Sequence, residues 1–276
     1  MNPHSSRRIS LLELLESLRR NRQLIFKMTR RDVVGRYSGS MLGLAWSFFN
    51  PLLMLVIYTF VFSVVFKSRW EMGVGESKTD YAMLLFTGMI MHGLFAECVN
   101  RAPTLILSNV NYVKKVIFPL EILPWVSLGS ALFHAIISLV VLLLLQLLFN
   151  QNIPWTVVLF PLVLLPLILA TMGFAWFLAS LGVYVRDIGQ VTGIFTTALL
   201  FLSCVFYPLS SLPEKYQYLM KLNPLAYIIE GSRDTLIFGR IPDFSQWLVY
   251  FVISTIVAWL GFAWFQRTRG GFADVI

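Results

Sequence analysis

Few side chains in this chain have the type and spacing to do acid–base, metal or nucleotide chemistry. The three histidines, His4, His92 and His134, stand apart, and none has a Cys, Asp or Glu at metal-ligand spacing. His92 and His134 read as packed polar residues rather than proton relays. No Ser, His and acidic residue argue for a nucleophilic triad. The dipeptide Gly-Lys does not occur, so a phosphate-binding loop has no counterpart here. What remains is basic and aromatic. Lys114 and Lys115 can pair with acidic groups, meet anionic head groups, or simply enforce topology. The aromatics number 23 Phe, 10 Tyr and 8 Trp. Their faces pack on the apolar faces of sugar rings, and Tyr keeps a hydrogen-bonding tip.

The elements that must position these groups are membrane helices. Of the 276 residues, 57% are hydrophobic and 13% charged, with mean hydropathy +0.73. A soluble domain carries roughly 25% charged residues, so lipid is the solvent that fits. A span needs about 20 mostly apolar residues. Thirty uncharged residues between Arg36 and Lys67 hold a first helix near Met41–Phe66. The run Tyr81–Val99 is the second. The 64 uncharged residues from Ile122 to Val185 hold two more, broken at Asn150-Gln151-Asn152-Ile153-Pro154. A fifth runs from Asp187 to Tyr207-Pro208, and a sixth over Phe244–Gln266.

The middle of each predicted span lacks Asp, Glu, Lys and Arg. Ion-coupled transport places such groups mid-membrane, so energy for uphill movement would enter from another subunit. The formal net charge is +8. With both termini inside, 15 of the 22 Lys and Arg fall in inside segments, which is the asymmetry expected of cytoplasmic loops. The first 40 residues are basic and mixed, without the apolar core of a signal peptide. Cys98 and Cys204 are expected near opposite faces and unpaired.

Two non-spanning regions stand out. Ser10-Leu11-Leu12-Glu13 is a capping box; Leu11, Leu14, Leu15 and Leu18 then form a stripe followed by Arg19, Arg20 and Arg22. This predicts a basic amphipathic helix in the cytoplasmic interface, with a soluble basic tail as the alternative. Between spans five and six, Ser211-Leu212-Pro213-Glu214 and Asn223-Pro224 each start a short helix, and Gly239 ends the second. These read as re-entrant external helices dipping into the outer leaflet. The fold class is thus an all-α integral membrane protein: interface helix in 1–39, six spans in 40–266, tail in 267–276.

Across its whole length the chain resembles the ABC-2 type permeases, especially exporters of O-antigen, capsule and teichoic acid. Arg31-Asp32-Val33, Arg36-Tyr37, Leu42-Gly43, Trp46 and Asn50-Pro51 are similar to the family pattern before span one. Lys114-Lys115, Phe118-Pro119, Glu121 and Pro124 are similar to its loop between spans two and three. Tyr184, Arg186 and Asp187, then Asn223-Pro224 and Phe272-Ala273-Asp274, complete it. The resemblance implies a homodimer around a central channel, two copies of a separate cytoplasmic ATPase that binds ATP and Mg, and external helices as a gate. No cofactor is expected on this chain, and neither a metal nor nucleic acid.

The expected substrate is an undecaprenyl-linked glycan in a bacterial inner membrane. Arg31 and Arg36, with Tyr37, would hold its pyrophosphate, because guanidinium matches phosphate oxygens; a purely topological role is the alternative. Residues 101–121 form the longest internal cytoplasmic loop, with an amphipathic helix expected over Leu105–Tyr112. Asn111, Lys114, Lys115, Phe118 and Glu121 would couple to the ATPase. Trp46, Phe49, Tyr58, Trp176 and Phe177 lie inside spans and are candidates to line the channel, whereas Trp70, Trp155, Tyr250 and Trp264 suit an interfacial belt. Tyr207, Asn223, Pro224 and Tyr227 would form the external gate. Alternatives are an exporter of a small hydrophobic compound such as an antibiotic, a membrane glycosyl- or acyltransferase, and a passive channel.

Overall fold

The computed structural model describes residues 11–61, 78–114 and 118–276, and every regular element in them is helical. Ser10, Lys67, Trp70 and Lys115 lie outside the described residues. Among the described residues, four helices are long and apolar enough to cross a membrane: those within Thr79–Thr104, Leu120–Asn150, Trp155–Tyr184 and Phe244–Val275. Two shorter apolar helices occupy Gly43–Thr59 and Ile188–Leu202.

In chain order, α1 is Leu11–Tyr37, α2 Trp46–Thr59, α3 Lys78–Arg101 and α4 Val110–Lys114. Next come α5 Leu123–Asn150, α6 Phe160–Tyr184 and α7 Ile188–Leu202. The last are α8 Glu214–Lys221, α9 Pro224–Arg233, α10 Phe244–Thr268 and α11 Phe272–Val275. Helix α3 is the hub. It packs against α2, α5, α6, α7 and α9 and buries 72% of its most apolar stretch, against 17% for α5. The α5 remainder, including Ile136, Val140, Leu144 and Leu148, is exposed apolar surface of the kind that lipid covers. Helix α10 lies along α6, where Gly173 and Gly261 face each other so closely that a Cβ on either would strike the other helix's backbone. Small residues let membrane helices approach in this way.

Several breaks fall where local chemistry puts them. Gln151 (φ 52°) ends α5 in the left-handed region, and Pro154 precedes the turn into α6. Asn223 caps α9, its Oδ1 accepting from the Leu225 amide at 3.0 Å, and Gly239 (φ 69°) closes the π-turn after α9. Helix α1 does more than float on an interface: Leu14, Ser17, Met28 and Val33 are buried, and Thr29 sits against Gly129 of α5. Cys98 and Cys204 are both free and buried.

Two expectations are corrected. The segment expected as one helix over Leu105–Tyr112 is instead a turn at 105–106, a 3-10 turn at Leu107–Asn109 and the start of five-residue α4. Just upstream, Pro103 has no amide with which to continue α3, and its backbone is wedged against Gly182 of α6. Helix α7 stops at Leu202 rather than near Tyr207-Pro208, with Cys204 in the left-handed region (φ 56°). Two carbonyls within this break, of Cys204 and Val205, are taken up by a distant arginine, described below.

Candidate functional site

At the end of the bundle that carries α1, three helices meet through charged side chains. Arg101, the last residue of α3, forks onto Asp32 of α1, with Nη1 and Nη2 at 2.9 and 2.7 Å from Oδ2 and Oδ1. Ser130 of α5 donates to the same carboxylate at 2.6 Å. Burial works to raise the Asp32 carboxyl, but the bonds from Arg101 and Ser130 outweigh it and hold it below the usual carboxylate range. One turn along α1, Arg36 Nη2 lies 2.6 Å from Glu97 Oε1 of α3, whose Oε2 is 3.0 Å from His134 Nδ1 of α5. The Tyr37 hydroxyl lies 3.0 Å from His134 Nε2. The network fastens α1 to the bundle.

Arg31 and Arg36 therefore do not act as one pair. Five residues apart, they point roughly 140° apart around the helix. Arg36 is held by Glu97, whereas exposed Arg31 donates from Nη2 to the Tyr112 hydroxyl at 3.1 Å. The Tyr112 ring stacks on Phe118, with centroids 4.3 Å apart and planes at 11°. Asn111 and Lys114 are exposed on α4 beside them. The structure thus brings a residue expected to bind phosphate together with the loop expected to couple to an ATPase, in one cationic and aromatic patch.

Glu121 is not part of that patch. It is 1% exposed, as is Arg269, and its Oε2 accepts from Arg269 Nη1 at 3.0 Å. Its other oxygen accepts from the Ser17 hydroxyl at 3.4 Å, and its backbone carbonyl from the Trp176 indole at 3.0 Å. Beside it, buried Phe272 packs on Phe265 and Tyr184, so Glu121 ties the start of α5 to the C-terminal segment. Arg186 and Asp187 are exposed.

The aromatic candidates for a channel do not gather on one face of the subunit. Trp46 and Phe49 are exposed on α2, which packs on α3 and α5. Phe177 is exposed between α6 and α10 beside Trp264, at 5.6 Å. Tyr58 is half-buried against Phe206. Trp176 is 1% exposed between Trp125 and Phe262, inside the subunit and away from any surface a polymer could slide over.

The gate candidates at the opposite end do converge. Asn223 Nδ2 donates to Leu202 O at 3.0 Å and to Ser203 Oγ at 2.9 Å, so one side chain serves both the end of α7 and the start of α9. Pro224 occupies the first turn of α9. Tyr227 stacks on Tyr250 of α10 at 4.0 Å, beside a cavity of about 530 Å³ that Glu230 and Asp243 also line. The Tyr207 hydroxyl donates to Phe201 O at 2.7 Å.

Sequence reasoning missed Arg101, Ser130, Glu97 and Arg233, and gave Asp32 and His134 no charged partner. One signal was available for two of them: Glu97 and Arg101 follow the uncharged run Tyr81–Ala96, where an ionised group requires a partner, although nothing local says which.

The ABC-2 type transporter family profile matches residues 23–237 of the chain. The chain is 26% identical over 268 residues to the O-antigen export system permease protein RfbA of Myxococcus xanthus, covering 96% of this chain and 100% of that one. It is 24% identical over 257 residues to the O-antigen export system permease protein RfbA of Klebsiella pneumoniae, covering 92% and 95%. It is 25% identical over 256 residues to the polysialic acid transport protein KpsM of Escherichia coli, covering 87% and 90%.

Proposed function

The chain belongs to the ABC-2 type transporter family, and from that premise we propose that it is the membrane-spanning subunit of an ATP-driven exporter of an O-antigen-like polysaccharide. The polymer would be carried on undecaprenyl pyrophosphate across a bacterial inner membrane. The observation that carries this reading is coextension: permeases of O-antigen export align with 96% and 92% of the chain, and the chain with 100% and 95% of theirs. In this reading α2 and α7 complete six spans, both termini are cytoplasmic, and α8 and α9 dip into the outer leaflet as a gate. Two copies of the chain enclose the channel.

The chain's own residues then divide the work. Arg31 and Tyr112 offer a guanidinium and a hydroxyl to the pyrophosphate. Trp46, Phe49 and Phe177 give the polymer exposed aromatic faces on which sugar rings can slide. ATP hydrolysis takes place in a separate cytoplasmic subunit. Asn111, Lys114 and Phe118 receive its movement, Lys114 by meeting an acidic groove and Phe118 by filling an apolar pocket. Their mount is stiff, because α4 packs on α11 and α1 is ion-paired to α3.

The double substitution Lys114→Ala with Phe118→Ala tests the coupling surface. Lys114 is exposed and Phe118 half-buried, so the permease accumulates. Removing a charged and an aromatic anchor from an interface costs about 2 kcal/mol or more, roughly thirtyfold in affinity. The ATPase is expected to be lost from the purified complex and surface glycan to fall in parallel. An unchanged yield of ATPase together with normal export would sink the assignment.

A further inference from the structure

Arg233, the last residue of α9, is 0% exposed. Its Nε donates to Leu84 O of α3 at 3.0 Å, its Nη1 to Cys204 O at 2.9 Å and its Nη2 to Val205 O at 2.8 Å. Nη1 also lies 2.9 Å from Glu230 Oε1, one turn back on the same helix, which supplies the counter-charge. Three elements thus meet on one guanidinium, and three of its acceptors are backbone carbonyls.

Two of those carbonyls belong to the non-helical break after α7. Backbone outside a helix has no helical donor for its carbonyls, and in apolar surroundings each needs one. The break also holds Cys204 at φ 56°, a conformation that a residue with a Cβ keeps only when its surroundings enforce it. A planar fork of N–H groups can serve several such carbonyls at once, which a lysine ammonium does less well. Helix α3 makes room for it. A Cβ on Gly88 would stand 3.1 Å from Arg233 Nη2 and 3.3 Å from Val205 Cα.

We propose that Arg233 is a positioning residue of the external gate, a latch that fastens α9 to the broken end of α7 and to α3 and holds the opening shut while no polymer passes. The inference rests on the reading of α8 and α9 as that gate. It also supplies a route of control. Helix α3 runs unbroken from Leu84 at the latch to Glu97 and Arg101, which are paired to α1, distances of about 20 and about 26 Å. A displacement imposed at the α1 end reaches the latch along one helix, without passing through a loop.

The test uses the complete permease with its ATPase, in cells blocked in polymer synthesis, and measures entry of a small membrane-impermeant dye per assembled complex. Wild type stays tight. Arg233→Gln is expected to raise entry by about tenfold, the effect of shifting a closed state by one factor of ten in its equilibrium. Arg233→Lys, which keeps the charge and loses the fork, falls between. Gly88→Ala keeps the arginine but crowds it, so it leaks moderately even if the arginine variants fail to assemble.

A membrane that stays tight with Gly88→Ala and with any Arg233 variant that assembles would overturn the latch, since a merely structural arginine lowers the amount of complex without opening a path. Leaky variants, in a protein whose deletion leaves surface glycan unchanged, would keep the latch and remove the glycan reading.

Discussion

Arg269→Ala is expected to cost about 3–5 kcal/mol, the usual consequence of removing one partner from a buried ion pair. Arg269 and Glu121 are each 1% exposed and 3.0 Å apart. Without the guanidinium, the buried Glu121 carboxylate loses its charge-assisted bond at 3.0 Å. Glu121→Ala is expected to be as harmful, because it removes the carboxylate that faces the equally buried Arg269 guanidinium. The double substitution Glu121→Leu with Arg269→Met should recover most of the loss, since apolar side chains of similar volume replace such pairs at little cost. Thermal unfolding of the purified permease reads this directly. A double variant no more stable than the single ones would mean that the pair is not the unit holding the C-terminal segment. The consequence is local: Glu121 anchors the start of α5 beside the loop that carries Lys114 and Phe118, so loosening the pair softens that loop.

The second large effect belongs to Gly261. A Cβ there would run into the backbone of Gly173 on α6, and backbone cannot yield as a side-chain tip does. Gly261→Val must separate α6 from α10 along their shared length. Overpacking of cores typically costs 1–3 kcal/mol, and an obstacle made of backbone places this variant at about the upper end of that range. Gly93 and Gly193 provide controls, because a Cβ on either meets nothing within 4 Å; Ala at both should be tolerated. The amount of folded protein in the membrane and its unfolding temperature check the contrast. A Gly261→Val protein as stable as the Gly93→Ala protein would contradict the close packing of α6 on α10.

Those two sites show what could and could not be read from the residues alone. The apolar runs, the break at Gln151–Pro154 and the caps at Asn223-Pro224 and Gly239 are local signals, and each element begins or ends within a few residues of where its signal stands. Residue pairs that meet only through the fold leave no local trace. Glu121 and Arg269 are 148 positions apart, Arg36 and Glu97 61. The early end of α7 has the same cause: Ser203-Cys204-Val205-Phe206 contains no glycine or proline, and the donors that take its carbonyls come from Arg233, 28 and 29 residues on. The burial of Trp176 was illegible for a different reason. Trp176 and Phe177 are neighbours on a helix that is apolar all round, so only packing decides that one ring is buried and the other faces out.

The loop of residues 101–121 shows a related limit. The apolar spacing of Leu105–Tyr112 fits a helix, and Pro103 stands just before it. That this proline would be clamped against Gly182 of α6 depends on tertiary approach alone. The result is a compact set of turns, better suited than a free helix to hold Tyr112 and Phe118 in a stack beside Arg31.

If this chain carries a lipid-linked polysaccharide out through the inner membrane, its loss must change glycan on both sides of that membrane. Deleting its gene and assaying lipid-linked glycan on each side of that membrane tests it most directly. The prediction is that polymer accumulates on the cytoplasmic side and disappears from the cell surface, and that the wild-type gene restores both. Surface glycan unchanged by the deletion, with no accumulation inside, would contradict the claim and make a small hydrophobic compound the leading substrate.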